Sequence, residues 1–101
     1  MSAEYYLALQ KCGWRYRSQL AMYICDNNYC GWQSAKANYA EAEKLERFIN
    51  EFIKGCTDKL PLMKLNRWLG YIQGTLISWD VTSVQTERDW TRPLFRHLDF
   101  G

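Results

Sequence analysis

The sequence contains a single histidine, two prolines and no CxxC pair. One histidine leaves little room for imidazole chemistry. Without closely paired cysteines the spacing of a zinc finger or knuckle is missing. Neither charge dominates: 13 basic residues against 11 acidic ones leave a net +2. A non-specific DNA binder carries a clearer basic excess, and a protein imitating DNA needs a strong acidic one. No apolar run is long enough to cross a bilayer. Glu4, Lys11, Arg15 and Arg17 interrupt residues 1–25, so nothing there resembles a signal peptide. The expected setting is the cytosol, where the four cysteines stay reduced.

What is present is apolar surface. With 101 residues, 48% of them hydrophobic, the chain can build one modest core and not two. Five Trp, seven Tyr and four Phe are more aromatic side chains than such a core easily hides. Some of them are therefore expected on a binding face.

Apolar spacings of three and four define the helices. Tyr5, Leu9, Cys12, Tyr16, Leu20 and Tyr23 predict a helix over 3–25, which Gly13 could split and which Asp26-Asn27-Asn28 should end as a turn. Cys30, Gly31 and Trp32 continue that loop. A second helix is expected from Ser34, a good N-cap type. It buries Ala42, Leu45, Phe48, Ile49, Phe52 and Ile53, pairs Glu43 with Arg47, and stops at Gly55. A third has Pro61 in its first turn and a heptad-like seam of Leu62, Leu65, Leu69, Ile72, Leu76 and Trp79. Its Gly70 and Gly74 are expected to admit a close helix neighbour. After a turn at Asp80-Val81, Thr82 and Gln85 have capping-box spacing and open a short fourth helix over 83–91. Pro93 disfavours a helical Arg92, so residues 92–101 should leave as an extended or loosely turned tail. The expectation is one all-α domain over 1–101: three main helices, a short fourth, and an apolar C-terminal tail at 92–101.

Candidate chemistry is sparse. Cys12, Cys25, Cys30 and His97 are four formal zinc ligands at the wrong spacing, so no metal and no cofactor are expected. Glu87 and Asp89 sit beside Arg88 and Arg92, which reads as a solvated helix face and not as an acid–base pair. No catalytic residue is assigned, and the chain is expected not to be an enzyme. Lys11, Trp14, Arg15, Tyr16 and Arg17 interleave cations with aromatics, a pattern that can stack bases and grip phosphates. The balanced net charge favours ordinary solvated cations there, and no strong DNA binding is expected. The sharpest candidate is the C-terminal end. Trp90, Arg92, Pro93, Leu94, Phe95, Arg96 and Phe100 mix aromatics with arginine, the composition of interface hot spots. Two readings stand for it: a partner-contacting segment, or a strap folded over the core. The isomer of Pro93 would set the direction of such a tail, which makes a host prolyl isomerase a candidate partner.

Two strings, KLNRWLGYIQG over 64–74 and TERDWTRPLFRHLDFG over 86–101, resemble segments of the phage anti-RecBCD protein 2 family, small early-region proteins of lambdoid phages. The resemblance covers about the last forty residues; the rest agrees in length and general character. It implies a non-enzymatic modulator acting in the host cytoplasm on RecBCD, the nuclease that degrades linear DNA from its ends and is steered by Chi. It further implies protein–protein contact with RecC, the Chi-reading subunit. No family contact residue is carried over.

Overall fold

The computed structural model describes residues 2–99, with side chains placed from 3 to 96. Among these the chain forms four helices: α1 (Ser2–Cys30), α2 (Tyr39–Thr57), α3 (Leu62–Ser78) and α4 (Val84–Asp99). No strand occurs among the described residues, and the all-α class stands.

The periodic stripes do form the core. Leu9, Cys12, Tyr16 and Leu20 from α1 meet Leu45, Ile49, Phe52 and Cys56 from α2 and Leu65, Leu69, Ile72 and Leu76 from α3, all buried. Burying each large apolar side chain is worth about 1.5–3 kcal/mol. Cross-contacts give the directions. Tyr6 donates to the Leu60 carbonyl and Gln10 to Thr57, so α2 runs antiparallel to α1. Tyr5 reaches Asn66 while the Gln73 amide donates to Tyr16, so α3 runs parallel to α1. Phe95 lies against Tyr5 and Glu87 against Arg15, so α4 returns antiparallel along α1.

Several boundaries differ from the sequence reading, each for a local reason. Helix α1 does not end at Asp26-Asn27-Asn28. Asn27 donates to the Tyr23 carbonyl, and Asn28 accepts from the Trp32 indole. Their polar groups are satisfied without leaving the helix, which stops before Gly31 at φ 87. Ser34 does not cap α2. Asn38 does, with a reciprocal box: its side chain accepts from Glu41 N–H at 2.8 Å and its own N–H donates to the Glu41 carboxylate at 3.1 Å. Pro61 is itself the N-cap of α3, just ahead of the first turn.

Gly55 is not a C-terminal stop. Helix α2 runs on to a Schellman closure with Lys59 at φ 60; Lys59 N–H donates to the Cys56 carbonyl and Leu60 N–H to that of Gly55. Leu60 folds back over Gly55, where a Cβ would lie 2.8 Å from Leu60 Cδ1. Helix α3 closes in the same way through Asp80, also at φ 60. At α4 the cap is Ser83, whose hydroxyl accepts from Thr86 N–H at 3.1 Å. Thr82 stands one position too early to cap a helix that starts at Val84, and its hydroxyl donates to Glu87 instead.

The largest difference is at the end of the chain. Helix α4 passes through Pro93 and continues to Asp99. Proline removes one hydrogen bond and crowds the preceding turn. The half-buried Leu94 and Phe95, packed on the core, compensate by giving the next turn an apolar face.

The close-approach glycine is Gly13, not Gly70 or Gly74. A Cβ on Gly13 would stand 2.6 Å from Ile53 Cγ1 and 3.1 Å from Phe52 Cδ2, whereas nothing lies within 4 Å at Gly70 or Gly74. Gly13→Ala is therefore expected to destabilise by about 1–3 kcal/mol through overpacking. Gly70→Ala and Gly74→Ala should each stabilise by up to about 1 kcal/mol through helix propensity. Chemical denaturation of the three variants checks the opposite signs.

Candidate functional site

The sequence pointed to the C-terminal end, and there the structure builds a two-sided helix. Residues 87, 90 and 94 of α4 recur at spacings of three and four and turn towards α1. Glu87 is buried, while Trp90, Leu94 and Phe95 are half-buried on the core. The strap reading thus describes the inward side chains. Arg92, Pro93 and Arg96 are exposed. With Arg88, also exposed, Arg92 and Arg96 recur every fourth residue and form a cationic ridge along α4. No carboxylate among the described side chains pairs with these three guanidinium groups. Phe100 and the side chain of His97 lie outside the described residues and side chains.

One buried polar node holds this helix down. Arg15 grips both Glu87 oxygens, with Nε donating to Oε1 at 3.4 Å and Nη2 to Oε2 at 3.1 Å. Trp90 covers the guanidinium, its ring centre 4.6 Å away. The Thr82 hydroxyl donates to the same carboxylate, and the Gln73 amide donates to the Tyr16 hydroxyl at 2.8 Å. Burial alone would push the Glu87 pKa up. Hydrogen bonds from Arg15, Thr82 and Tyr16, with the Arg15 charge, outweigh burial and hold it below the ordinary 4.5. Burial, then the hydrogen bond to Glu87, drives the Tyr16 phenol far up, so it stays a donor.

Glu87 is thus not part of a solvated face, as the sequence suggested. Its helix phase sets it beside Trp90 against α1, while Asp89 remains exposed and accepts from Gln85. The pairing partner lies 72 residues away, and nothing in local spacing signals it.

The five interleaved residues of α1 do not form one surface. Tyr16 is in the core and Arg15 is committed to Glu87. Lys11 and Trp14 face solvent, and Arg17 stacks over Trp14 at 5.3 Å. The cysteines divide as well. Burial pushes Cys12 up to about 12 and Cys56 up to about 11, which makes both poor nucleophiles, while Cys25 and Cys30 are exposed. No three metal-ligating side chains converge among the described residues.

A feature the sequence reading missed is a groove of about 680 Å³ between α2 and α3. Phe48 forms its floor, with Trp68 at 5.4 Å and Tyr71 at 5.1 Å between ring centres. Lys44, Arg47, Glu41 and Glu51 rim the α2 side. Trp68 and Tyr71 fall off the Leu seam of α3, and that second apolar face was the available signal.

Comparison with known proteins adds no relative: no family model, no curated protein and no solved structure matches this chain. No helix among the described residues is long and apolar enough to cross a membrane.

Proposed function

We propose that this chain is a phage-encoded, non-enzymatic modulator of the host nuclease RecBCD, working in the host cytoplasm by docking on RecC. The observation that carries a docking function is the arginine ridge Arg88, Arg92 and Arg96. It is exposed and regularly spaced, on a helix pinned by the Arg15–Glu87 pair. Guanidinium groups on a rigid support suit recognition of carboxylates on a protein surface. The choice of RecBCD rests on the resemblance of 64–74 and 86–101 to the phage family. Burial and the raised pKa values of Cys12 and Cys56 make these two thiols poor nucleophiles, and the proposal asks no chemistry of them.

A nucleic-acid accessory using Lys11, Trp14, Arg15, Tyr16 and Arg17 is the second reading. The burial of Tyr16 and the engagement of Arg15 weigh against it. A host prolyl isomerase at the exposed Pro93 belongs to the first proposal as a further partner.

The test is to mix the purified chain with RecBCD, with RecC and with linear duplex DNA separately. A stoichiometric complex with RecBCD and RecC is expected, together with altered degradation of linear DNA. Absence of any complex, with DNA affinity falling steeply as salt rises, would replace the first reading by the second.

A further inference from the structure

Large apolar side chains left in solvent concentrate on one face of α1, the face turned away from the other three helices. Leu7 is 56% exposed, Trp14 51%, Met22 68% and Tyr29 92%. Together with Lys11, Ser18 and Cys25, all exposed, they mark a stripe at 7, 11, 14, 18, 22, 25 and 29. The steps are all four or three and average about 3.7 residues, so the side chains share one face of a nearly straight helix, the 11-residue period of a seam that can pack on another helix. The rest of α1 already buries Leu9, Cys12, Tyr16 and Leu20, so this helix is apolar on opposite sides.

The placement is symmetric about Ser18. Leu7 and Tyr29 lie eleven residues to either side of it, and Trp14 and Met22 lie four to either side. From this we infer that the outward face of α1 pairs with a second copy of the chain, antiparallel, with a two-fold axis at Ser18. A two-fold interface is self-complementary: what residue i meets on the partner, the partner meets on residue i. In that arrangement Trp14 packs on the second copy's Met22, and Leu7 packs on the second copy's Tyr29. Ser18 meets itself, and the small side chains of Ser18 and Ala21 let the helix axes approach to about 8 Å. Lys11 comes opposite the second copy's Cys25, within reach of its Asp26, so the flanking charges are complementary. The matched stretch from Leu7 to Tyr29 is about 33 Å of helix. A pattern evolved for an unrelated partner has no reason to be centred on one residue.

The experiment is sedimentation equilibrium on the full chain, joined to site-directed cross-linking. The wild type should sediment as a dimer. Met22→Glu, which changes an exposed side chain and should leave the helical circular dichroism intact, should weaken dimerisation by about thirty-fold or more. In a background of Cys25→Ser and Cys30→Ser, Ser18→Cys should oxidise to a covalent dimer far faster than Ser34→Cys, an exposed position off the stripe. A wild type that stays monomeric at high concentration overturns the inference. So does a dimer indifferent to Met22→Glu, or equal cross-linking at positions 18 and 34.

Discussion

Replacing Glu87 with alanine is expected to cost roughly 3 kcal/mol of stability. The carboxylate side chain is 5% exposed and its partner Arg15 22%. Deleting the acid leaves a guanidinium largely sheltered from water with neither its counter-charge nor its acceptors. The low end of the range for broken buried pairs applies because Arg15 keeps some solvent. For a chain of this size the loss should lower the melting temperature by more than about 10 °C. Exchanging both residues together, Arg15→Met with Glu87→Leu, should recover about half of the loss, since two apolar groups replace the pair without an orphan charge. If Glu87→Ala melts like the wild type, the node does not anchor α4.

The same residue sets an acid limb. Because its folded pKa lies below the ordinary 4.5, Glu87 contributes stability that is complete above that value. The contribution is lost as pH falls from there through the lower folded value. Glu87→Gln should be less stable at neutral pH and should flatten this part of the pH profile. Denaturant midpoints measured from neutral pH down to about pH 2 read the difference directly.

The core was legible in the sequence because it depends on helix period alone. Leu9, Cys12, Tyr16 and Leu20, or Leu65, Leu69, Ile72 and Leu76, share a face whatever the tertiary arrangement. Helix ends were less legible because capping is a competition between neighbours. Thr82 has the right spacing for a box with Gln85, yet the helix starts at Val84, so Ser83 takes the role and the Thr82 hydroxyl donates to Glu87. Gly55 looked like a stop, and its true use, room for Leu60, depends on how the chain turns afterwards. Pro93 argued for a break, but tertiary packing of Leu94 and Phe95 overrides one missing hydrogen bond. The Arg15–Glu87 pair joins the first helix to the last, and sequence spacing carries no information about it. The candidate site was therefore half visible: its residue types were plain, and the division into inward anchors and outward arginines required the helix.

That division makes the outward arginines the side chains to change when binding is measured. Arg88, Arg92 and Arg96 are each one turn apart, and like charges at that spacing repel by a few tenths of a kcal/mol per pair. The free protein bears this small cost without a compensating carboxylate among the described side chains. Docking against an acidic surface would relieve it. Changing all three to glutamine should therefore leave the fold intact, with a melting temperature equal to the wild type or slightly higher. The proposed binding to RecBCD should fall by at least about thirty-fold if even one of them is a hot spot, the equivalent of about 2 kcal/mol. Alanine at Trp90, Leu94 or Phe95 should behave differently: these side chains lean on the core, so their loss should lower the melting temperature first and affinity as a consequence. Truncation after Thr91 removes Leu94 and Phe95 together with Arg92 and Arg96, members of both classes at once, and is the less informative variant. Calorimetric titration of the triple variant, paired with its melting curve, separates the roles. Undiminished affinity in a folded Arg88→Gln, Arg92→Gln, Arg96→Gln protein would move the docking surface off α4, leaving the aromatic groove between α2 and α3 as the next place to substitute.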